Sequence, residues 1–103
     1  MPLYMIRRDV HGATREDIDA AAYRAIACAF YFTGMKWHHS YWDEQAGELR
    51  CIYEAQNSDE LWAHAERARI PCNDVREVTI VGGPEMYIGE EAGEELQASS
   101  YKR

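Results

Sequence analysis

The stretch MKWHHSYWDEQAGELRCIYEA, residues 35–55, decides the fold of this chain. Two runs rich in aromatic and apolar residues, 35–42 and 48–55, flank the five residues 43–47, which include a glycine. A loop of this length and composition is typical of a β-hairpin. We therefore predict two antiparallel strands, joined by a short loop, near the centre of the chain.

The residues before the hairpin predict a strand followed by a helix. The strand covers 3–8, and the helix begins at Thr14, whose hydroxyl can cap free backbone N–H groups. Apolar residues then recur at three- and four-residue spacing as far as Phe30. Gly34 is expected to end the helix, because glycine is common just beyond a helix C-terminus.

The residues after the hairpin repeat this alternation. Asn57 or Ser58 can cap a second helix that runs to Arg69, and a strand rich in β-branched residues is expected over 75–81. The order β-α-β-β-α-β matches the ferredoxin-like split βαβ fold. We therefore predict an α+β domain with a four-stranded antiparallel sheet and both helices on one face.

The 103 residues have the size of one domain, and the predicted elements fill only the first four fifths of them. The sequence GGP at 82–84 is a strong break, so we predict a ferredoxin-like domain at 1–82 and a C-terminal extension at 83–103. Residues 86–88 can add a short fifth edge strand. From about residue 89 onward, glutamates without apolar periodicity predict an acidic flexible tail.

The charge balance and the cysteines exclude several classes of protein. With 18 acidic and 11 basic residues the formal net charge is -7, which argues against a nucleic-acid binder or an anionic-membrane binder. No apolar run approaches the roughly 18–20 residues of a membrane span, and the first ten residues lack the apolar segment of a signal peptide. The cysteines at 28, 51 and 72 have no metal-finger spacing and cannot all pair, which favours reduced thiols and a cytoplasmic location.

Alternation along the strands divides their side chains between two faces of the sheet. The more apolar face, which we assign to the helices, is predicted to hold Tyr4, Ile6, Trp37, His39, Tyr41, Leu49, Cys51, Tyr53, Val78 and Ile80. The open face is predicted to hold Met5, Arg7, His38, Ser40, Trp42, Arg50, Ile52, Glu54, Glu77 and Thr79. Because large apolar residues on the open face would be wet in a single subunit, we predict a homodimeric α+β barrel in which a second subunit covers them.

The open face offers the first candidate site, His38 with Glu54. Imidazole and carboxylate together suit a borderline divalent ion such as Ni²⁺ or Zn²⁺, and two-fold symmetry would double the ligand set. The alternative is an ordinary salt network in which Arg7 or Arg50 pairs with Glu54.

The inner face offers the second candidate site. His39 is expected to point towards the helices, where His64 approaches it beside Tyr53. These residues can form a small pocket or a metal site, with His39 and His64 as ligands. They can also form the site of an enzyme that acts on a small aromatic molecule with a histidine general base. The alternative is a set of aromatic core residues whose ring nitrogens are hydrogen-bonded.

Several short sequences together resemble a known family: YMIRR at 4–8, CIYEA at 51–55, HA at 64–65 and IP at 70–71. The chain is similar over roughly residues 2–80 to small bacterial nickel-binding-protein-like proteins, formerly a domain of unknown function. The resemblance implies a dimeric ferredoxin-like fold and the binding of divalent nickel.

The prediction is a small cytosolic protein that binds Ni²⁺, or another divalent transition metal, for sequestration or homeostasis and without catalysis. The metal ligands are expected among His38, Glu54, His64 and His39. The alternative is a dimeric α+β-barrel enzyme acting on a small aromatic molecule, with His39, His64 and Tyr53 at its catalytic site. A third possibility is an interaction protein that uses the acidic tail.

Overall fold

The strands and helices follow the predicted order in a computed structural model of the chain, which describes residues 1–89, 91, 92 and 95. The elements are β1 (Leu3–Asp9), α1 (Arg15–Ala29), β2 (Lys36–Asp43), β3 (Glu48–Glu54), α2 (Ser58–Ala68), β4 (Asp74–Val78) and α3 (Glu85–Ile88). The strands form one antiparallel sheet in the order β2-β3-β1-β4. The predicted α+β, ferredoxin-like arrangement is confirmed. Within the described part of the chain, no helix is long and apolar enough to cross a bilayer.

Helix α1 begins where its sequence predicts and ends earlier. The backbone N–H of Asp17 donates to Thr14 Oγ1 at 3.2 Å, and the N–H of Thr14 donates to Asp17 Oδ2 at 2.9 Å. These hydrogen bonds with Thr14 lower the pKa of the Asp17 carboxyl. The helix ends at Ala29 with Phe30 as its C-cap, so the prediction that Gly34 ends it is wrong. The chain closes the last turn with short i-to-i+3 hydrogen bonds before it reaches the glycine.

Helix α2 supplies most of the helical contribution to the core. Asn57 caps its first turn by accepting the N–H of Glu60 at 3.1 Å, and Arg69 ends it in a left-handed conformation, with φ 58°. One side of the helix is buried, and its members are Leu61, His64, Ala65 and Ala68. Leu61 joins the core of the sheet, which otherwise consists of Tyr4, Ile6, Cys51, Tyr53 and Ala55. Helix α2 therefore packs on the inner face of the central strands β1 and β3.

A β-bulge at His38 changes the faces of β2. Trp37 lies opposite Tyr53 and His39 lies opposite Ile52, so His38 is an extra residue without a partner in the ladder. One extra residue inverts the alternation beyond it. Four assignments to faces are therefore wrong: the open face receives His39 and Tyr41, and the inner face receives Ser40 and Trp42.

The register of β4 also differs from the prediction. Val75 lies opposite Ile6 on the inner face, and Val78 lies opposite Leu3 on the open face. Because the faces alternate, Glu77 belongs to the inner side, so the predicted faces of Val78 and Glu77 are both wrong. The strand ends at Val78, and two predicted members lie beyond it: Thr79 and Ile80.

The predicted edge strand at 86–88 is wrong, because these residues belong to the single helical turn α3. Pro84 precedes this turn with φ -53°, and its carbonyl accepts the N–H of Ile88 at 2.9 Å. Proline favours this conformation at a helix start because its ring fixes φ. The predicted acidic tail lies mostly outside the described residues, and the division at residue 82 stays a prediction.

Candidate functional site

The open face of the sheet brings His38 and Glu54 together. His38 Nε2 lies 3.0 Å from Glu54 Oε1, and the two side chains are 27% and 33% exposed. The bulge makes this contact, because it lets the unpaired His38 turn towards the neighbouring strand. The pair presents one imidazole nitrogen and one carboxylate, which are the donor types that borderline divalent ions take.

The bulge also places the second histidine on this face. In a regular strand, adjacent side chains point to opposite faces. Here His39 lies on the same side as Glu54, edge-on against Tyr41 with 5.1 Å between ring centroids. Among residues 1–89, 91, 92 and 95, however, no three His, Cys, Asp or Glu side chains are grouped closely enough to hold an ion. One subunit therefore presents a two-donor pair with His39 nearby.

The predicted salt network around Glu54 does not form. Arg7 Nη1 pairs with Asp9 Oδ1 at 2.7 Å, and Arg50 Nη2 pairs with Glu48 Oε1 at 3.3 Å. Neither arginine reaches Glu54, so that expectation is wrong. The competing cations are held by neighbouring carboxylates, which leaves the Glu54 carboxylate to His38.

His64 lies on the other side of the sheet and is fully buried. Its Nε2 donates to the backbone carbonyl of Ala25 at 2.8 Å, while its Nδ1 has no hydrogen-bond partner in the described residues. The ring packs against Tyr53 and Phe32, with centroid distances of 5.5 and 5.9 Å. Burial lowers the pKa of the imidazole, and the nearby positive charge of Arg8 acts in the same direction. His64 is therefore a neutral core residue that ties α2 to α1.

The three residues of the enzyme hypothesis do not assemble. His39 faces away from the helices, so the sheet separates it from His64 and Tyr53. Burial raises the pKa of Tyr53 to about 12, although the Arg8 guanidinium opposes this shift. The phenol therefore stays protonated at neutral pH. The four predicted metal ligands are likewise divided, with His38, His39 and Glu54 on the open face and His64 inside.

A cavity of about 670 Å³ lies between α1 and the inner face of the sheet. Its lining includes Trp37, Trp42 and Tyr53 from the strands and Ala22 from the helix. Neither His39 nor His64 lines it. The cavity exists because α1 faces the sheet with small side chains and buries fully only Ala25.

Arg8 lines this cavity, and the sequence prediction missed it. Its side chain is buried, with 1% of the residue exposed. Nη1 donates to the carbonyl of Pro71 at 2.7 Å, Nε contacts Cys51 Sγ at 3.4 Å, and Nη2 has no partner in the described residues. The signal in the sequence is its position two residues after Ile6, which places a charge on the inner face.

Comparison with known families matches residues 4–78 to the family described as nickel responsive protein SCO4226-like. The chain belongs to this family. The SCO4226-like region runs from the second residue of β1 to the last residue of β4, and it includes His38, Glu54 and the cavity. It therefore covers both long helices and the whole sheet except Leu3.

A solved structure has the same fold. The crystal structure of SCO4226 from Streptomyces coelicolor A3(2) matches with a TM-score of 0.70 and 20% sequence identity. The match covers 78% of this SCO4226-like chain and 99% of that one. No functionally curated protein matches the chain.

Proposed function

We propose that this chain binds Ni²⁺, or another divalent transition ion, with His38 and Glu54 as its first two ligands. The observation that carries the proposal is the 3.0 Å contact between His38 Nε2 and Glu54 Oε1. An ion can replace this contact and take a lone pair from each group. Membership of a nickel-responsive family supports nickel as the first choice of ion.

We propose further that a second copy of the chain completes the ligand set. The open face holds apolar side chains that no other described element covers, including Leu3, Met5, Ile52 and Tyr41, of which Tyr41 is 66% exposed. The same face of a second copy would shelter them. Two-fold symmetry would then supply two imidazoles and two carboxylates, with His39 as a further ligand.

In this proposal the ion is cargo, held for sequestration or homeostasis in the cytoplasm. The free thiols at 28, 51 and 72 suit a reducing compartment. The enzyme hypothesis gains no support from the geometry, because its two histidines lie on opposite faces of the sheet.

Calorimetry on tag-free protein tests the metal site directly. We expect Ni²⁺ to bind more tightly than about 100 µM, which is roughly 5.5 kcal/mol of binding free energy. His38→Ala and Glu54→Gln should each weaken it about tenfold or more, since each removes one of few ligands. Zn²⁺, Co²⁺ and Cu²⁺ titrations would rank the ions. Binding should weaken as the pH falls, because protons compete with the metal for the imidazole and carboxylate lone pairs.

Glu66→Gln is the matched control for the carboxylate. It makes the same change of charge on the exposed side of α2, where the Glu66 side chain forms no ion pair with the described residues. It should bind Ni²⁺ as the unaltered chain does. Wild-type affinity weaker than about 100 µM, or full affinity in both site variants, would show that the proposal is wrong.

The homodimer makes a separate prediction. Ile52→Lys places a charge at the centre of the open face, opposite Met5 on one neighbouring strand and His39 on the other. We expect it to convert a dimer into a monomer in analytical ultracentrifugation, because an unpaired buried charge at an interface is strongly unfavourable. Val81→Lys, at a residue that is 69% exposed, should leave the dimer intact. A wild-type chain that sediments as a monomer at micromolar concentration, with and without Ni²⁺, would contradict the prediction.

A further inference from the structure

We infer that the cavity between α1 and the sheet binds a small apolar or aromatic carboxylate, with Arg8 as the group that receives the carboxylate. This site lies on the inner face of the sheet. It shares no residue with the proposed nickel site, so either proposal can fail without the other.

The size and walls of the cavity suit the apolar part of such a ligand. Its volume of about 670 Å³ falls within the range of small-molecule pockets. Trp37, Trp42 and Tyr53 form the aromatic wall, while Ile18 and Ala22 face it from α1. The apolar body of a ligand would lie against this wall, while the charged residues of the lining stand elsewhere around the cavity.

The charge of Arg8 suits the carboxylate. Its guanidinium is almost fully buried, and in the described residues it donates to a backbone carbonyl and contacts a thiol. The neutral Tyr53 hydroxyl also lies near it, but no carboxylate of the described residues pairs with it. Burying a charge without a counter-charge is unfavourable. In addition, the N–H groups of Nη2 have no acceptor among the described residues. A carboxylate would accept them in a charge-assisted pair.

The other charged groups of the cavity do not neutralise Arg8. Arg24 also lines the cavity and donates to the carbonyl of Ala68 at 2.9 Å. The three carboxylates of the lining are already engaged: Asp9 with Arg7, Asp17 with Thr14, and Asp19 with Arg15. The cavity therefore carries two guanidinium groups that have no carboxylate partner among the described residues. The lining as a whole is formally neutral, with three arginines and three aspartates, so the place for an anion is local to Arg8.

Trp42 adds a second donor. Its indole Nε1 is buried without a hydrogen-bond partner in the described residues, and Trp42 lines the same cavity as Arg8. Buried donors without partners are rare in folded proteins, so two on one cavity point to an acceptor that a ligand supplies. Both donor atoms are covered in this structure, so the proposed ligand requires the Arg8 and Trp42 side chains to shift.

The test compares carboxylates with neutral molecules of the same shape. The probes are 4-phenylbutyrate and octanoate, against 4-phenyl-1-butanol and 1-octanol, and the readout is the NMR shift of the indole N–H signals of Trp37 and Trp42. We expect the acids to bind with a Kd at or below about 1 mM and the alcohols about tenfold more weakly or worse.

Two variants of α1 leave Arg8 unchanged. They test whether the cavity is a ligand site or whether Arg8 has only a structural role. Ala22→Leu fills the cavity and should weaken carboxylate binding about tenfold or more. Ala27→Leu adds the same atoms at an exposed position of the same helix and should change nothing. Glu54→Gln, which removes a proposed nickel ligand, should bind the acids as the wild type does.

Three results would overturn the inference. Equal affinity for acids and alcohols would leave an apolar void without an anion site. Full binding by Ala22→Leu would place the probes elsewhere. The absence of any indole shift at about 10 mM acid would mean that Arg8 serves only to hold the backbone at Pro71.

Discussion

His64→Ala is expected to lower the free energy of unfolding by about 3 kcal/mol. The side chain is fully buried, so its removal leaves a void between the helices and the sheet. It also removes the donor to the carbonyl of Ala25, a side-chain hydrogen bond that joins α2 to α1. Urea denaturation followed by circular dichroism measures the loss. His11→Ala makes the same change at an exposed loop position and should stay within about 0.5 kcal/mol.

The same histidine makes stability depend on pH. Burial lowers the pKa of His64 in the folded chain, whereas an unfolded histidine titrates near 6.5. Below about pH 6.5 the unfolded state therefore binds more protons than the folded state. The contribution of neutral His64 is complete above about pH 6.5 and is lost progressively as the pH falls below that value.

His64→Phe isolates this effect, since carboxylates also titrate in acid. The wild type should lose more stability than His64→Phe between about pH 7 and pH 5. Equal losses in the two proteins, or equal effects of His64→Ala and His11→Ala at neutral pH, would contradict the role given to His64.

Leu61→Ala should destabilise the chain by about 3 kcal/mol. Leu61 has no exposed surface and packs in the cluster that contains Tyr4, Ile6 and Tyr53. Its side chain joins α2 to the central strands. The loss of stability therefore has two parts: buried methyl groups are removed, and a cavity is left in the core. Thermal and urea unfolding would measure it.

The control for Leu61 is another aliphatic residue. Ile80→Ala removes a side chain that is 65% exposed and should change the free energy of unfolding by less than about 0.5 kcal/mol. A cost below about 1 kcal/mol for Leu61→Ala would mean that α2 does not pack on the sheet as described.

The features that sequence predicts well in this chain are local. Thr14 and Asn57 cap the helices because their side chains reach N–H groups only three residues away. The hairpin loop needs only the residues between β2 and β3, and there the N–H of Ala46 donates to Asp43 Oδ1 at 3.0 Å. With the starts of the helices and strands known, connection rules leave few topologies, so the order of elements and the ferredoxin-like sheet follow.

The features that sequence does not predict depend on pairing between strands. Both regular alternation and a bulge are compatible with adjacent histidines, and only the pairing of β2 with β3 selects the bulge at His38. The face of Val78 likewise depends on its partner in β1. The cavity depends on the separation of α1 from the sheet, which the apolar stripe of the helix does not reveal.

The sequence predicts more of the His38–Glu54 site than of the cavity that contains Arg8. His38 and Glu54 are predicted on one face, and the structure gives the contact between them, whereas their role as ligands is a proposal. Arg8 continues the series of inward-facing residues that begins with Tyr4 and Ile6. It was missed because mainly apolar residues were expected on the inner face. Only the positions of its neighbours show that Arg8 Nη2 has no hydrogen-bond partner among the described residues.

The bulge has a consequence at the level of the gene. Trp37 and His39 already face adjacent partners, Tyr53 and Ile52, so the ladder is continuous without His38. The loss of one codon would remove this imidazole and leave every other strand pairing and every core contact in register. A single-codon insertion at this point could equally create it. The histidine that contacts Glu54 can therefore be acquired or discarded in one genetic step, while the domain around it stays unchanged.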